Sequence, residues 1–98
     1  MKKFIWIISD DTSEDYLYEI VDGCLEFRIG GDWYHHKAKS KIEGYFYSHN
    51  GIEYDVIEIN VGFTSEDEDI YLQDIDISLD DNMLIFKTVD GKIYSTMV

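Results

Sequence analysis

YLYEIVDGCLEFRI, residues 16–29, places two apolar-rich runs on either side of Asp22-Gly23. That dipeptide reaches positive φ easily, which suits a type I′ turn and makes it the strongest short-range sign of a β-hairpin. In the second run Leu25, Phe27 and Ile29 alternate with Glu26 and Arg28, the period of two that turns one strand face to a core and the other to water. The arrangement recurs: Asn50-Gly51 parts residues 45–48 from 52–59, and Asp90-Gly91 parts 84–89 from 92–97. Gly30-Gly31-Asp32 and Asp80-Asp81-Asn82 offer further turns. Consecutive hairpins predict a mainly β fold for residues 1–98 as one domain, an antiparallel sheet or a small β-sandwich or half-barrel.

The remaining pattern refines this picture. Ile57, Ile59, Val61 and Phe63 alternate with Glu58 and Asn60, and Ile75, Ile77 and Leu79 with Asp74, Asp76 and Ser78. The apolar phase flips between Ile52, Tyr54, Val56 and Ile57, Ile59, Val61, which predicts a bulge or bend near Val56. Residues 12–21 also fit a short helix, with Thr12 as N-cap, Glu14 and Asp15 in the first turn, Tyr16, Leu17, Ile20 and Val21 on one face and Gly23 as a stop. Ser65 and Glu68 make a second capping-box match ahead of Ile70, Tyr71 and Leu72.

Composition bounds the class. Hydrophobic residues make up 45% and aromatic residues 15% of the 98, enough apolar surface to fold despite a net charge of −13. Cys24 is the only cysteine, so no internal disulfide forms, and it reads as a small core residue in a reducing cytoplasm. Lys2 and Lys3 ahead of residues 4–8 resemble the start of a signal peptide, but five apolar residues fall short of a signal core. The segment reads as a first strand, and no run reaches the roughly 20 apolar residues of a membrane span.

Charge is the most telling feature. No Lys or Arg occurs between Ile42 and Phe86, while twelve Asp and Glu fall there. Folded domains ordinarily intersperse both signs, because like charges repel without helping the fold. An unneutralised anionic stretch of this length therefore points to a cationic partner. Eight tyrosines accompany the acids, and Tyr supplies large contact area at low entropic cost, as binding hot spots require. Tyr16 with Tyr18, and Tyr45 with Tyr47, are spaced to share a strand face, while Phe46 and Tyr54 suit the core.

Other chemistries find less support. His35 and His36 are adjacent, so on a strand they point to opposite faces, and His49 sits beside a turn; they read as exposed strand and turn residues. Carboxylate pairs are too numerous to single out a general acid and base, and no segment matches the calcium loop, lacking Gly at its sixth position. The nucleophile-elbow, P-loop, dinucleotide and zinc-protease motifs are absent. Lys37, Lys39 and Lys41 form a cationic cluster too small to draw nucleic acid against the background charge. No catalytic residue, metal or cofactor is expected.

The sequence thus predicts an acidic protein that works by binding another protein, in the physical manner of bacterial immunity proteins that neutralise nuclease toxins in the cytoplasm by occluding a basic active or substrate-binding surface. Direct nucleic-acid or membrane binding is not expected. Glu53, Asp55, Glu58, Glu66, Asp67, Glu68, Asp69, Asp74 and Asp76 would steer the partner, and Tyr45, Tyr47 and Tyr71 would anchor it. A DNA-mimic inhibitor of a restriction or CRISPR-type enzyme is the alternative reading, and a small His- and carboxylate-dependent metal binder or enzyme a second one.

Overall fold

Residues 4–8, Phe-Ile-Trp-Ile-Ile, are aromatic or β-branched throughout, so the strand they form has no face to give to water and takes the middle of a sheet. The computed structural model describes residues 2–32 and 54–98. In it β1 (Lys2–Ser9) lies between β2 (Glu14–Val21), its antiparallel partner, and β4 (Tyr54–Val61), which runs parallel to it; β3 (Cys24–Asp32) pairs with the far side of β2. The order is β3-β2-β1-β4. A two-residue hairpin, β5 (Thr64–Ser65) with β6 (Glu68–Asp69), and a 3-10 turn (Leu72–Asp74) lead to the antiparallel sheet β7 (Asp76–Asp80), β8 (Met83–Lys87), β9 (Ile93–Met97).

The two sheets close on one core. Ile5 and Ile7 of β1 meet Leu84 and Phe86 of β8, with Phe63, Leu72 and Ile75 from the connecting segment. Phe63 stands 5.2 Å from Phe86 and 5.1 Å from Tyr94, ring centre to ring centre. Phe4, Ile8 and Leu17, pointing the other way, are buried as well, so the four-stranded sheet hides apolar side chains on both faces. Among the described residues no helix is long and apolar enough to cross a membrane.

The mainly β fold of hairpins is as the sequence predicts, with one pairing, β1 to β4, parallel. Asp22 and Gly23 both take positive φ, 52° and 78°, as a type I′ turn requires. Asp80-Asp81-Asn82 turns β7 into β8. Asp90-Gly91 also turns the chain, but as part of a three-residue loop: Gly91 N–H bonds the Thr88 carbonyl at 3.0 Å and Gly91 alone of the loop takes positive φ, 85°.

Several expectations are corrected. Residues 12–21 hold no helix; residues 14–21 are strand β2, whose apolar residues on both faces, Leu17 on one and Tyr16, Tyr18 and Ile20 on the other, mimic a helical stripe. The phase flip at Val56 is no bulge either. β4 stays in register with β1 from Lys2↔Tyr54 to Ser9↔Val61, Val56 opposite Phe4 and Ile57 opposite Ile5, so the flip marks two half-buried neighbours on opposite faces of an unbent strand, Glu58 and Asn60 beyond Val56 being exposed. Among the described residues the one register shift lies between Leu17 and Tyr18, where β3 carries Arg28 as an extra residue.

Gly30-Gly31-Asp32 is not a turn but the end of β3; the Tyr16 ring lies where a side chain at Gly30 would stand, so glycine there serves close packing. Ser65 and Glu68 cap no helix: they are the paired residues of the β5–β6 hairpin. Cys24 is exposed beside its turn, not in the core. Asn50-Gly51, Phe46, the three histidines and Lys37, Lys39 and Lys41 lie outside the described residues, as does any account of the Tyr54 side chain.

Candidate functional site

The end of the sandwich where β1 stops and β2 begins collects carboxylates from four separate turns. Asp10 and Asp11, both exposed, form the β1–β2 turn. Parallel pairing delivers Val61 to the same end, where its carbonyl accepts from Asp10 N–H at 3.4 Å and Asp11 closes over Gly62. The chain then enters the β5–β6 hairpin, where Glu66, Asp67, Glu68 and Asp69 are all exposed. Ser65 Oγ donates to Asp90 Oδ2 at 3.4 Å, tying this hairpin to the β8–β9 loop.

The hairpin tip is strained. Glu66 and Asp67 both have positive φ, 53° and 63°; Asp tolerates this conformation, as Asp22 does, but for Glu66 it costs roughly 1–2 kcal/mol. Glycine or asparagine would relieve it. Two adjacent acids held in that conformation, beside two more, are a concentration of charge that the fold itself does not need.

Glu14 fixes the base of this end. Its side chain is completely buried, and its carboxylate accepts from Leu72 N–H at 2.6 Å, Gln73 N–H at 3.2 Å, Thr12 Oγ1 at 2.5 Å and the Tyr16 hydroxyl at 3.4 Å. The first amides of the 3-10 turn thus take their acceptor from a strand 58 residues away in sequence. Tyr71, immediately before that turn, is left 46% exposed, and Val89 on the neighbouring loop 84%.

Asp90 is tuned by its own loop. The Thr88 hydroxyl donates to its carboxylate and, with the Lys92 amide and ammonium assisting against partial desolvation, holds it below the ordinary carboxylate value. A group depressed in the folded state adds stability above its unfolded pKa and loses it as pH falls through the folded one. Thr88→Val should move the Asp90 pKa back toward the ordinary value in an NMR titration of the side-chain carboxyl carbon; an unchanged midpoint would remove the hydroxyl as its main cause.

Of the residues proposed from sequence, Glu66, Asp67, Glu68, Asp69, Tyr71 and Asp74 converge here, and Asp76 begins β7 at the same end, opposite Lys87. Asp55 and Glu58 do not join them. Asp55 stands near the start of β4 opposite Lys3, at the other end, and Glu58 lies mid-strand opposite Trp6, on the sheet face turned away from the core. Tyr45, Tyr47 and Glu53 lie outside the described residues. The sequence reading missed Asp10, Asp11, Val89 and Asp90 as members, because the parallel β1–β4 pairing brings the first two here and the tie between Ser65 and Asp90 the others.

Among the described residues the basic side chains are committed elsewhere or outnumbered. Arg28 pairs with Glu19 at 3.1 Å and Glu26 at 2.7 Å, and Lys2 approaches Glu19 at 4.0 Å, all away from this end. Lys92 approaches Asp90 at 3.9 Å. Among the described residues no group of three or more His, Cys, Asp or Glu is placed to hold a metal ion. Comparison with protein-family models, with curated proteins and with solved structures returned no match.

Proposed function

We propose that this chain works without catalysis of its own, as an acidic inhibitor that seats the end built by Asp10, Asp11, Glu66–Asp69, Asp74 and Asp90 against a basic surface of another protein. The reading supported best is an immunity protein that neutralises a basic toxin, of nuclease type, in the cytoplasm by covering its active or substrate-binding surface. A protein that binds phosphates presents Lys and Arg, and a complementary acidic patch speeds encounter with it. The observation that carries this reading is the strained, fully acidic Glu66–Asp69 hairpin beside exposed Tyr71 and Val89. Residues held in sparsely populated backbone conformations cluster at functional sites.

In this mechanism the carboxylates steer and Tyr71 anchors. A pull-down from the source cells should capture a basic protein whose toxic or nucleolytic activity this chain suppresses. Tyr71→Ala should then weaken the complex by about 2 kcal/mol, near 30-fold in Kd, by calorimetry. A captured protein without a basic surface, or a complex insensitive to Tyr71→Ala and to charge removal at Glu66–Asp69 alike, would sink the proposal.

A further inference from the structure

β9 is an open edge. All five of its residues are exposed, Ile93 at 65% and Met97 at 72%, and among the described residues only β8 pairs with it. The hydrogen bonds flanking the β8–β9 ladder fix which backbone groups are used. Thr88 N–H bonds the Lys92 carbonyl at 2.9 Å and Val98 N–H bonds the Asn82 carbonyl at 2.9 Å. With the register Leu84↔Thr96 and Phe86↔Tyr94 between them, antiparallel alternation turns the N–H and C=O of Tyr94 and Thr96 toward β8. Those of Ile93, Ser95 and Met97 point outward, three donor–acceptor pairs in a row.

Such an edge is a template for another strand, and proteins ordinarily blunt it with charge, proline or a bulge. β9 carries none of these within Ile93–Met97. A cleft of about 230 Å³ runs beside it, lined by Asn60 and Val61 of β4 and by Ser95 and Thr96, leaving room along the strand. Its Ile93 end adjoins the acidic end: Asp90 is two residues before Lys92 and bonded to Ser65 of the β5–β6 hairpin. There, among the described residues, the four hairpin carboxylates and Asp90 outnumber Lys87 and Lys92.

Charge decides the occupant. A second copy would bring another net charge of −13, and that overall repulsion opposes self-pairing of the edge. A cationic strand meets the opposite field. We propose that the outer edge of β9 adds an extended segment of a basic partner, uncharged over its middle five residues and with Lys or Arg at the end lying beside Ile93. Main-chain bonds to Ile93, Ser95 and Met97 would give affinity, and the acidic end would set which strand is accepted. That the partner is basic rests on the function proposed above; the backbone ladder does not.

The test uses a synthetic nine-residue peptide of alternating Val and Thr with two terminal lysines, made with the lysines at either end. A version N-methylated at alternate amides and a version with Glu for Lys serve as controls. Hydrogen exchange of the intact protein is read residue by residue. The lysine peptide should slow exchange of the Ile93, Ser95 and Met97 amides by about tenfold or more while leaving Tyr94 and Thr96, already bonded to β8, unchanged. N-methylation should abolish the effect, and Glu for Lys should weaken binding by about tenfold. Ser95→Pro should also abolish it, since the amide it removes faces outward and the ladder to β8 survives.

No protection by the lysine peptide at millimolar concentration overturns the proposal. Outward amides already protected in a protein that sediments as a dimer overturn it in favour of a second copy. Lysine-peptide binding that perturbs only Glu66–Asp69 rejects strand addition and leaves the acidic-site reading standing. Equal protection by the Glu peptide rejects the basic partner and leaves an edge that adds strands irrespective of charge.

Discussion

Glu14→Ala is expected to lower the stability of this protein by about 4 kcal/mol. The carboxylate is wholly buried and accepts from two backbone amides across the joint between the sheets, Leu72 at 2.6 Å and Gln73 at 3.2 Å. Hydrogen bonds to a charged acceptor contribute about 1.5–3 kcal/mol each, and a buried donor left without a partner costs about 1–3 kcal/mol. Alanine removes the acceptor and strands the donors together. Glu14→Gln keeps one carbonyl oxygen and should lose about half as much. Urea unfolding measures both variants; a loss below about 1 kcal/mol for alanine would show that the 3-10 turn holds its place without this carboxylate.

The effect should reach the candidate site. Glu14 anchors the segment between Tyr71 and Asp74, so releasing it lets Tyr71 and the neighbouring hairpin move relative to the β1–β2 turn. At temperatures where Glu14→Gln remains folded, its complex with a captured partner should form more weakly than that of the native chain, although Glu14 itself is too deep to touch anything.

Phe86→Ala should cost a similar amount, about 4 kcal/mol. Phe86 is 2% exposed and stacks obliquely on Phe63 in the cluster that joins the sheets. Truncation loses the transfer energy of the ring and leaves a cavity that two hydrogen-bonded sheets cannot fully close. Phe86→Leu, which retains most of the volume, should lose less than half as much. An alanine loss under about 1.5 kcal/mol would mean that the sheets collapse onto the gap, and that the core rests on Ile5, Ile7 and Leu84 instead.

What could be read in advance follows from how local each signal is. Asp22-Gly23, Asp80-Asp81-Asn82 and Asp90-Gly91 announced their turns because positive φ and tight reversal are chemical properties of those residues. The β5–β6 hairpin was invisible because Glu66 occupies positive φ against its own preference, so the capping-box pattern of Ser65 and Glu68 misled. β2 and β4 misled differently: β2, buried on both faces, loses the clean period of two and resembles a helix, while β4 keeps that period over residues 57–61 and only its half-buried Val56, beside Ile57, suggested a bend.

The site was half legible for the same reason. Glu66–Asp69 and Asp74 stood out as charge along the chain. Their union with Asp10 and Asp11 depends on β4 running parallel beside β1, and with Asp90 on the tie to Ser65, long-range contacts that no neighbouring residues encode. Asp55 and Glu58 belonged to the same acidic stretch, yet the strand carries them to another end and another face.

The most direct measurement of the central claim is the salt dependence of partner affinity, compared between the native chain and a variant carrying Glu66→Gln, Asp67→Asn, Glu68→Gln and Asp69→Asn. The account predicts that Kd for the native chain weakens by about tenfold or more as ionic strength rises from roughly 0.05 to 0.5 M, with the variant weaker at low salt and much less salt-dependent. Equal affinities and equal slopes for the two chains would contradict it, and would reduce the acidic end to a device for keeping the protein in solution.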